Sequence, residues 1–100
     1  WDDVRNHIDN KRVIVFGAGA DAKRLLADPE FDHDVFEVWD NDSSKRFLRG
    51  HKVIAPHYLD DLDNYVVIVA SHHDVEMVKQ LEDYGINSFL LYNAIKRGKK

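Results

Sequence analysis

The sequence contains no cysteine among its 100 residues, so neither a disulfide framework nor a thiolate metal site is possible. It also lacks any apolar run near the roughly 18 residues of a membrane-spanning helix, and no signal-peptide pattern is present. Neither sign of charge dominates, because 14 basic and 18 acidic residues leave a net charge of −4. Such a chain has no global attraction to nucleic acid or anionic lipid. We expect a cytoplasmic protein with no nucleic-acid partner and no membrane span.

What is present indicates one small globular domain. Apolar residues make up 44% of the chain, which is normal for a folded protein, and no repeat or low-complexity linker interrupts it. We expect a single domain over residues 1–100, with a leading helix over 1–10 and a basic tail over 96–100. Because the chain opens on Trp1 rather than Met, we expect it to be a piece of a larger protein.

Apolar runs alternate with helix-like patterns along the chain. The predicted strands are RVIVFG, DVFEVWD, HKVIAP, YVVIVAS and SFLLYN, and the predicted helices after the first are ADAKRLLA, PHYLDDL and DVEMVKQLEDYG. The segment NDSSKRFLRG is predicted to be a polar loop. Strands that are apolar on both faces need helices on both faces. The pattern therefore predicts an α/β fold with a doubly wound, mainly parallel five-stranded sheet in the order 3-2-1-4-5.

Two glycines mark the passage from the first strand to the helix that follows it. The letters GAGADA at residues 17–22 fit G-x-G-x-x-A. Gly17 permits a tight turn, Gly19 lets the backbone approach a pyrophosphate, and Ala22 keeps the helix close to the strand. The alternative interpretation is a compact strand-to-helix turn that binds no ligand.

Two acidic residues bear on this choice in opposite ways. Asp40 follows the second strand, about 20 residues after the glycines, where a carboxylate can accept both hydroxyls of an adenosine ribose. Asp21 lies in the first turn of the helix, where its carboxylate could take up the same N–H groups and repel a phosphate. Lys23 and Arg24 could offset that repulsion.

Several stretches together resemble a known family of domains. They are VIVFGAGADAKRLL, VWDNDSSK, RGHKVIAPHYL and YVVIVASHHDVEMVKQLEDYGI, within about residues 11–92. The chain resembles the Rossmann-like NAD(P)- or CoA-binding-type domains of bacterial nucleotide-sugar epimerase/dehydratases, sugar O-acyltransferases and polysaccharide-biosynthesis proteins. These shared features are more specific for the fold than for the activity.

The resemblance implies a nucleotide- or dinucleotide-binding module of a larger sugar-modifying enzyme, a transferase or an epimerase/dehydratase. Its partners would be a nucleotide cofactor or nucleotide-sugar and a neighbouring catalytic domain of the same polypeptide. It implies a cofactor phosphate at the glycine turn, a ribose at Asp40 or Asn41, and contacts to the ring from the loop after the fourth strand. The implied cofactor-binding residues are Gly17, Ala18, Gly19, Ala20, Asp40, Asn41, Ala70, Ser71 and His72. NAD is favoured over NADP, because Asp40 would repel a 2′-phosphate. CoA is a further, less favoured alternative, which the residues alone do not separate from a nicotinamide cofactor.

We expect no catalytic residue and no metal site in this segment. Too little chain follows the last strand to build a nicotinamide half-site and a substrate pocket. His72, His73 and Asp74 are adjacent, so their side chains diverge, and no third ligand sits at helical spacing. Two other functions stay open: a degenerate docking or scaffold domain with no ligand, and a regulatory domain that senses a ligand.

Overall fold

The fold is described from a computed structural model, in which residues 11–42, 44–71 and 74–92 are placed. The predicted leading helix and basic tail lie outside these residues. The strands are β1 (Arg12–Phe16), β2 (Val35–Trp39), β3 (Phe47–Leu48), β4 (His51–Ile54), β5 (Tyr65–Val69) and β6 (Phe89–Leu91). The helices are α1 (Ala20–Leu26), α2 (Pro29–Asp34) and α3 (Asp74–Asp83), and a 3₁₀ turn spans Leu62–Asn64.

The six strands form one sheet with β1 near its centre. Their order is β3-β4-β2-β1-β5-β6. Neighbouring strands are parallel from β4 through β2, β1 and β5 to β6. Strand β1 reads RVIVF and is buried over its last four residues, which suits a β-branched strand with partners on both sides. Strands β1 and β5 run side by side in register and end together, with Phe16 opposite Val69.

A short hairpin forms one edge of the sheet. Strand β3 pairs antiparallel with β4, so that Leu48 lies opposite His51. The two residues between them, Arg49 and Gly50, have φ angles of 48° and 88°. Positive φ at both central positions is the geometry of a type I′ turn, which matches the twist of a two-residue hairpin. The turn at Arg49 and Gly50 therefore reverses the chain and brings β3 against β4, which makes β3 the edge strand.

Each face of the sheet carries its own hydrophobic cluster. On one face Ala22, Leu26 and Phe31 of α1 and α2 pack against side chains such as Val13 and Val15. On the other face Leu81 of α3 joins a cluster whose members also include Ile14, Phe16, Trp39 and Val67. Part of the cover there is non-helical, because Leu59 lies in an irregular segment. The two clusters anchor the strand ends from which the loops of the candidate site emerge.

The predicted fold class is wrong. The sheet is mixed and has six strands, where the sequence predicts a mainly parallel, doubly wound sheet of five in the order 3-2-1-4-5 with helices on both faces. The physical reason is local. Phe47 and Leu48, inside the predicted polar loop, form a sixth strand, and no α-helix connects β4 to β5. The described helices are few and short, so they do not alternate with every strand.

Two local predictions also differ from the structure. The predicted helix PHYLDDL does not form, and only the 3₁₀ turn at Leu62–Asn64 follows it. The sequence predicts no helix between ADAKRLLA and DVFEVWD, yet Asp28 and Pro29 begin α2 there: Asp28 accepts a hydrogen bond from the N–H of Glu30, and proline stands at the first helical position. In the described part of the chain, no helix has the length and apolar character needed to cross a membrane.

Candidate functional site

A crevice opens where β1 and β5 end. Its first cavity has a volume of about 240 Å³. The cavity is bordered by the turn after β1, by the end of β2 and by the residues that follow β5. Its lining residues are Gly17, Ala18, Gly19, Ala20, Asp21, Arg24, Asp40, Lys45, Ala70 and Ser71. The carboxyl ends of parallel strands are where open α/β sheets bind ligands.

Gly17 is needed by the fold itself. Its φ is 110°, and a Cβ built on it would lie 2.7 Å from the carbonyl oxygen of Ala70. The backbone is held on both sides, because Gly17 N–H donates to the Trp39 carbonyl at 2.8 Å and Ala70 N–H donates to the Phe16 carbonyl at 2.9 Å. Any side chain at this position would push β1 and β5 apart. The predicted tight turn is confirmed, and it explains Gly17 without a ligand.

Gly19 has no such structural requirement. Its φ of −108° suits any residue, and a Cβ built on it meets nothing within 4 Å. Among the described residues, the N–H groups of Gly19 and Ala20 show no hydrogen bond. The backbone at Gly19 is thus exposed to the cavity. A side chain here would not clash with any described residue, but it would occupy space that a bound molecule could use.

Asp40 is tied to the glycine turn. Its Oδ2 accepts a hydrogen bond from Ala18 N–H at 2.7 Å and lies 3.4 Å from Lys45 Nζ. Its Oδ1 accepts from Asp42 N–H at 2.7 Å. The sequence predicts that this carboxylate binds the two hydroxyls of a ribose. The structure gives it three partners within the protein, and one of them is an N–H group of the turn itself.

Asp21 does not block the turn in the way that the sequence suggested. It is buried, with 5% exposure, and its Oδ1 accepts a hydrogen bond from Arg24 Nη1 at 3.0 Å. Within the described residues, no side chain caps the start of α1. The charge of Asp21 is therefore balanced by Arg24 one turn later, and the N–H groups at the start of α1 are left to the cavity.

The loop after β2 is ordered by a second carboxylate. Asp42 Oδ1 accepts hydrogen bonds from the Ser44 hydroxyl at 2.6 Å and from Ser44 N–H at 3.0 Å. These bonds, led by that of the hydroxyl, lower the pKa of Asp42 below its ordinary value. The same loop carries Lys45 back toward Asp40, so a cation reaches the first cavity from a position that shows no sequence motif.

A second cavity of about 360 Å³ continues the crevice toward α3. It shares Gly17, Asp40, Lys45 and Ser71 with the first cavity. Asn41 and Gln80 pair reciprocally in it: Asn41 Nδ2 donates to Gln80 Oε1 at 2.8 Å, and Gln80 Nε2 donates to Asn41 Oδ1 at 2.9 Å. The remaining lining residues are Phe16, Glu76 and Met77.

The structure brings together eight of the nine cofactor-binding residues implied by the resemblance. Gly17, Ala18, Gly19, Ala20, Asp40, Ala70 and Ser71 line the first cavity, and Asn41 lines the second. His72 and the adjacent His73 lie outside the described residues. Among the residues that the structure places, no three His, Asp or Glu side chains are grouped so that they could hold a metal ion.

Sequence reasoning missed five residues of the crevice. They are Phe16, Lys45, Glu76, Met77 and Gln80. The four-residue spacing of Glu76 and Gln80 puts both on one face of the predicted last helix, and this spacing could have indicated that the two side chains act at one site. What the sequence did not reveal is that this face borders the crevice.

One comparison with known proteins identifies the class of domain. The family model described as C2185-like, N-terminal matches residues 9–89, which is most of the chain. The chain belongs to this family. No curated protein and no solved structure matches it.

Proposed function

We propose that the domain is a nucleotide-binding module that holds a ligand's phosphate at the turn Gly17–Ala20. The observation that carries this proposal is Gly19. Gly19, which the fold does not need as a glycine, has its backbone open to a cavity, two residues after Gly17, which the fold does need. The absence of a Cβ at Gly19 gives a phosphate room to reach the N–H groups of the turn.

Two cations border the place where the phosphate would bind. Arg24 and Lys45 both line the first cavity, and both are at least partly exposed. Each is already paired with a carboxylate of the same cavity, Arg24 with Asp21 and Lys45 with Asp40. An incoming phosphate shares these cations with the carboxylates. The site therefore favours ligands with few negative charges, and we propose NAD over NADP or CoA.

The wider role is proposed from the resemblance. The module would serve a larger protein of nucleotide-sugar or polysaccharide biosynthesis, such as a transferase or an epimerase/dehydratase. Its partners would be the nucleotide or nucleotide-sugar and a neighbouring catalytic domain of the same polypeptide, and the reaction itself would take place in that domain.

Calorimetry and NMR titration test the binding. NAD⁺, NADP⁺, CoA, ADP and UDP-glucose are each titrated to millimolar concentration, and amide shifts are followed at Gly17–Ala20. We expect NAD⁺ or ADP to bind and to move these amides, and Gly19→Ala to weaken binding at least tenfold with the fold unchanged. Absence of heat and of shifts for every compound would overturn the proposal, and tighter binding of NADP⁺ than of NAD⁺ would overturn the preference for NAD.

A second candidate is a docking domain that binds no nucleotide. It is favoured by one observation, the hydrogen bond from Ala18 N–H to Asp40, which fills one donor of the turn with the protein's own carboxylate. If the domain binds no nucleotide, Gly19→Ala and the unmodified chain give the same titrations, with neither heat nor amide shifts. The titration of Gly19→Ala beside the unmodified chain separates the two candidates.

A further inference from the structure

The second cavity contains two carboxylates whose situations differ. Asp40 has both oxygens engaged by Ala18, Asp42 and Lys45. Glu76 lines the same cavity, and its carboxylate makes no hydrogen bond or ion pair in the described part of the chain. An acceptor that the described residues leave without a partner thus borders the crevice, while Asp40, the acceptor expected from the sequence, is largely occupied.

Glu76 is accompanied by two fixed amides. Gln80 follows it by one helical turn on α3, and Gln80 is held by its reciprocal hydrogen bonds to Asn41. These bonds fix the plane of both amides, yet each amide keeps a second N–H and further lone pairs for a ligand. The carboxylate of Glu76 and the amides of Asn41 and Gln80 therefore offer both hydrogen-bond acceptors and hydrogen-bond donors to a ligand in the second cavity.

We propose that Glu76, together with Asn41 and Gln80, binds a vicinal diol of the ligand whose phosphate lies at the glycine turn. This inference rests on the proposed function and names the second half of that site. A carboxylate has two oxygens that accept from two neighbouring hydroxyls at once, and hydrogen bonds to a charged acceptor are stronger than those between neutral groups. The amides complete the pattern, since each can both donate to and accept from a hydroxyl.

The charges of the crevice fix the direction of the ligand. Arg24 lines only the first cavity, and Lys45 lines both. Glu76 lines only the second cavity, where its charge, which no described residue pairs, repels a phosphate. The phosphate is therefore drawn to the glycine turn and the neutral hydroxyls to α3. This diol has two sources, the ribose of a nucleotide and the hexose of a sugar phosphate, and the experiment distinguishes them.

The test compares ADP with 2′-deoxy-ADP on the full chain by calorimetry. The two ligands carry the same charge and differ only in the 2′-hydroxyl. Removing a carboxylate near the phosphate changes both affinities alike, so the ratio of the two affinities reports binding of the diol. We expect ADP to bind about tenfold more tightly, as for one hydrogen bond to a charged group. In Glu76→Ala the ratio should fall to about one, whereas the matched control Glu82→Ala, also exposed on α3, should keep the ratio of the unmodified chain.

The variant Asp40→Asn and the ligand glucose 1-phosphate complete the design. A diol held by Glu76 predicts that Asp40→Asn keeps the ratio, and a ratio lost in Asp40→Asn but kept in Glu76→Ala overturns the inference. A ratio of one in the unmodified chain, with glucose 1-phosphate binding that depends on Glu76, assigns the diol to a hexose. A ratio of one without such binding overturns the inference and leaves the proposed function standing. Failure of every phosphate compound to bind overturns both.

Discussion

Asp40 Oδ2 and Ala18 N–H, 22 residues apart in sequence, are joined by a 2.7 Å hydrogen bond that ties the end of β2 to the glycine turn. Ala18 is buried, so its N–H has little access to water as a substitute partner. The carboxylate also holds Asp42 N–H, and it is only 14% exposed. One side chain thus fixes the relative positions of two of the loops that form the crevice.

Replacing this carboxylate is expected to destabilise the domain. Asp40→Ala leaves the buried N–H of Ala18 unsatisfied, which costs about 1–3 kcal/mol. Asp40→Asn keeps one carbonyl acceptor and is expected to cost less. Urea unfolding followed by circular dichroism measures both, with the exposed Asp60→Ala as control. Equal stability of Asp40→Ala and Asp60→Ala would show that the hydrogen bond does not hold the turn.

The two glycines of the turn are expected to respond to alanine in opposite ways. Gly17→Ala places a Cβ against the Ala70 carbonyl at a φ of 110°, and we expect a loss of about 2–4 kcal/mol. Gly19→Ala has open space, so its stability should stay within about 0.5 kcal/mol of the unmodified chain. Thermal unfolding distinguishes them, because 1 kcal/mol shifts Tm by about 4–8 °C in a domain of this size. A large loss in Gly19→Ala would show that the glycine serves the fold and not a ligand.

Lys45 should contribute to anion binding through its charge. If a phosphate binds at the turn, Lys45→Gln is expected to weaken ADP binding about tenfold, since it removes one charge-assisted contact. Lys23 is the matched control: it lies exposed on α1, carries the same charge and does not line the cavity. Lys23→Gln should change the affinity less than twofold at 0.15 M salt, where exposed charges are screened. Equal losses in the two variants would indicate a diffuse charge effect in place of a bound phosphate.

His57 gives the domain a dependence on pH. Its Nδ1 lies 2.9 Å from the Tyr58 carbonyl, and its Nε2 lies 2.9 Å from Glu37 Oε1. The hydrogen bond to the Tyr58 carbonyl is the largest effect on the pKa of His57 and raises it; burial, the second largest effect, lowers it, and Glu37 raises it further, so that the pKa lies above 6.5. A raised pKa in the folded state stabilises the domain below pH 6.5, and this contribution is lost as pH rises through the folded-state pKa.

NMR titration of the His57 ring checks this directly. We expect a midpoint above 6.5 in the unmodified chain and a lower midpoint in Glu37→Gln, which keeps the Tyr58 carbonyl but loses the charge. Because almost half of the His57 side chain is exposed, the accompanying change in stability should be small. A midpoint below 6.5 would mean that burial outweighs both partners.

The sequence predicts the structure best where a residue's conformation depends only on its neighbours along the chain. Strand β1 and strand β5 follow from continuous β-branched runs, and the predicted helix DVEMVKQLEDYG ends on Gly85, a residue type that commonly terminates helices. In the structure Gly85 has a φ of 77°, and Ile86 N–H donates to the Leu81 carbonyl at 2.9 Å, as in a helix-ending turn. Gly17 belongs to the same class, because its conformation is fixed by the turn.

The errors come from contacts between distant segments. Strand β3 has two residues, too few to show a period, and exists because its turn brings it against β4. The expected helix after Pro56 is absent where the His57 side chain bonds to Glu37, 20 residues earlier, and to the Tyr58 carbonyl. Glu76 and Gln80 were missed because the packing of α3 decides which of its faces borders the crevice.

The position of β1 also governs when the crevice can come into being during synthesis. Strand β1 is the first strand made among the described residues, yet its partner β5 starts 53 residues later, where Tyr65 pairs with Arg12. At ribosomal rates of about 5–20 residues per second, one edge of β1 waits several seconds for that partner. The nascent chain therefore exposes one unpaired edge of an apolar strand for that interval, and the crevice between β1 and β5 cannot form before the second half has emerged.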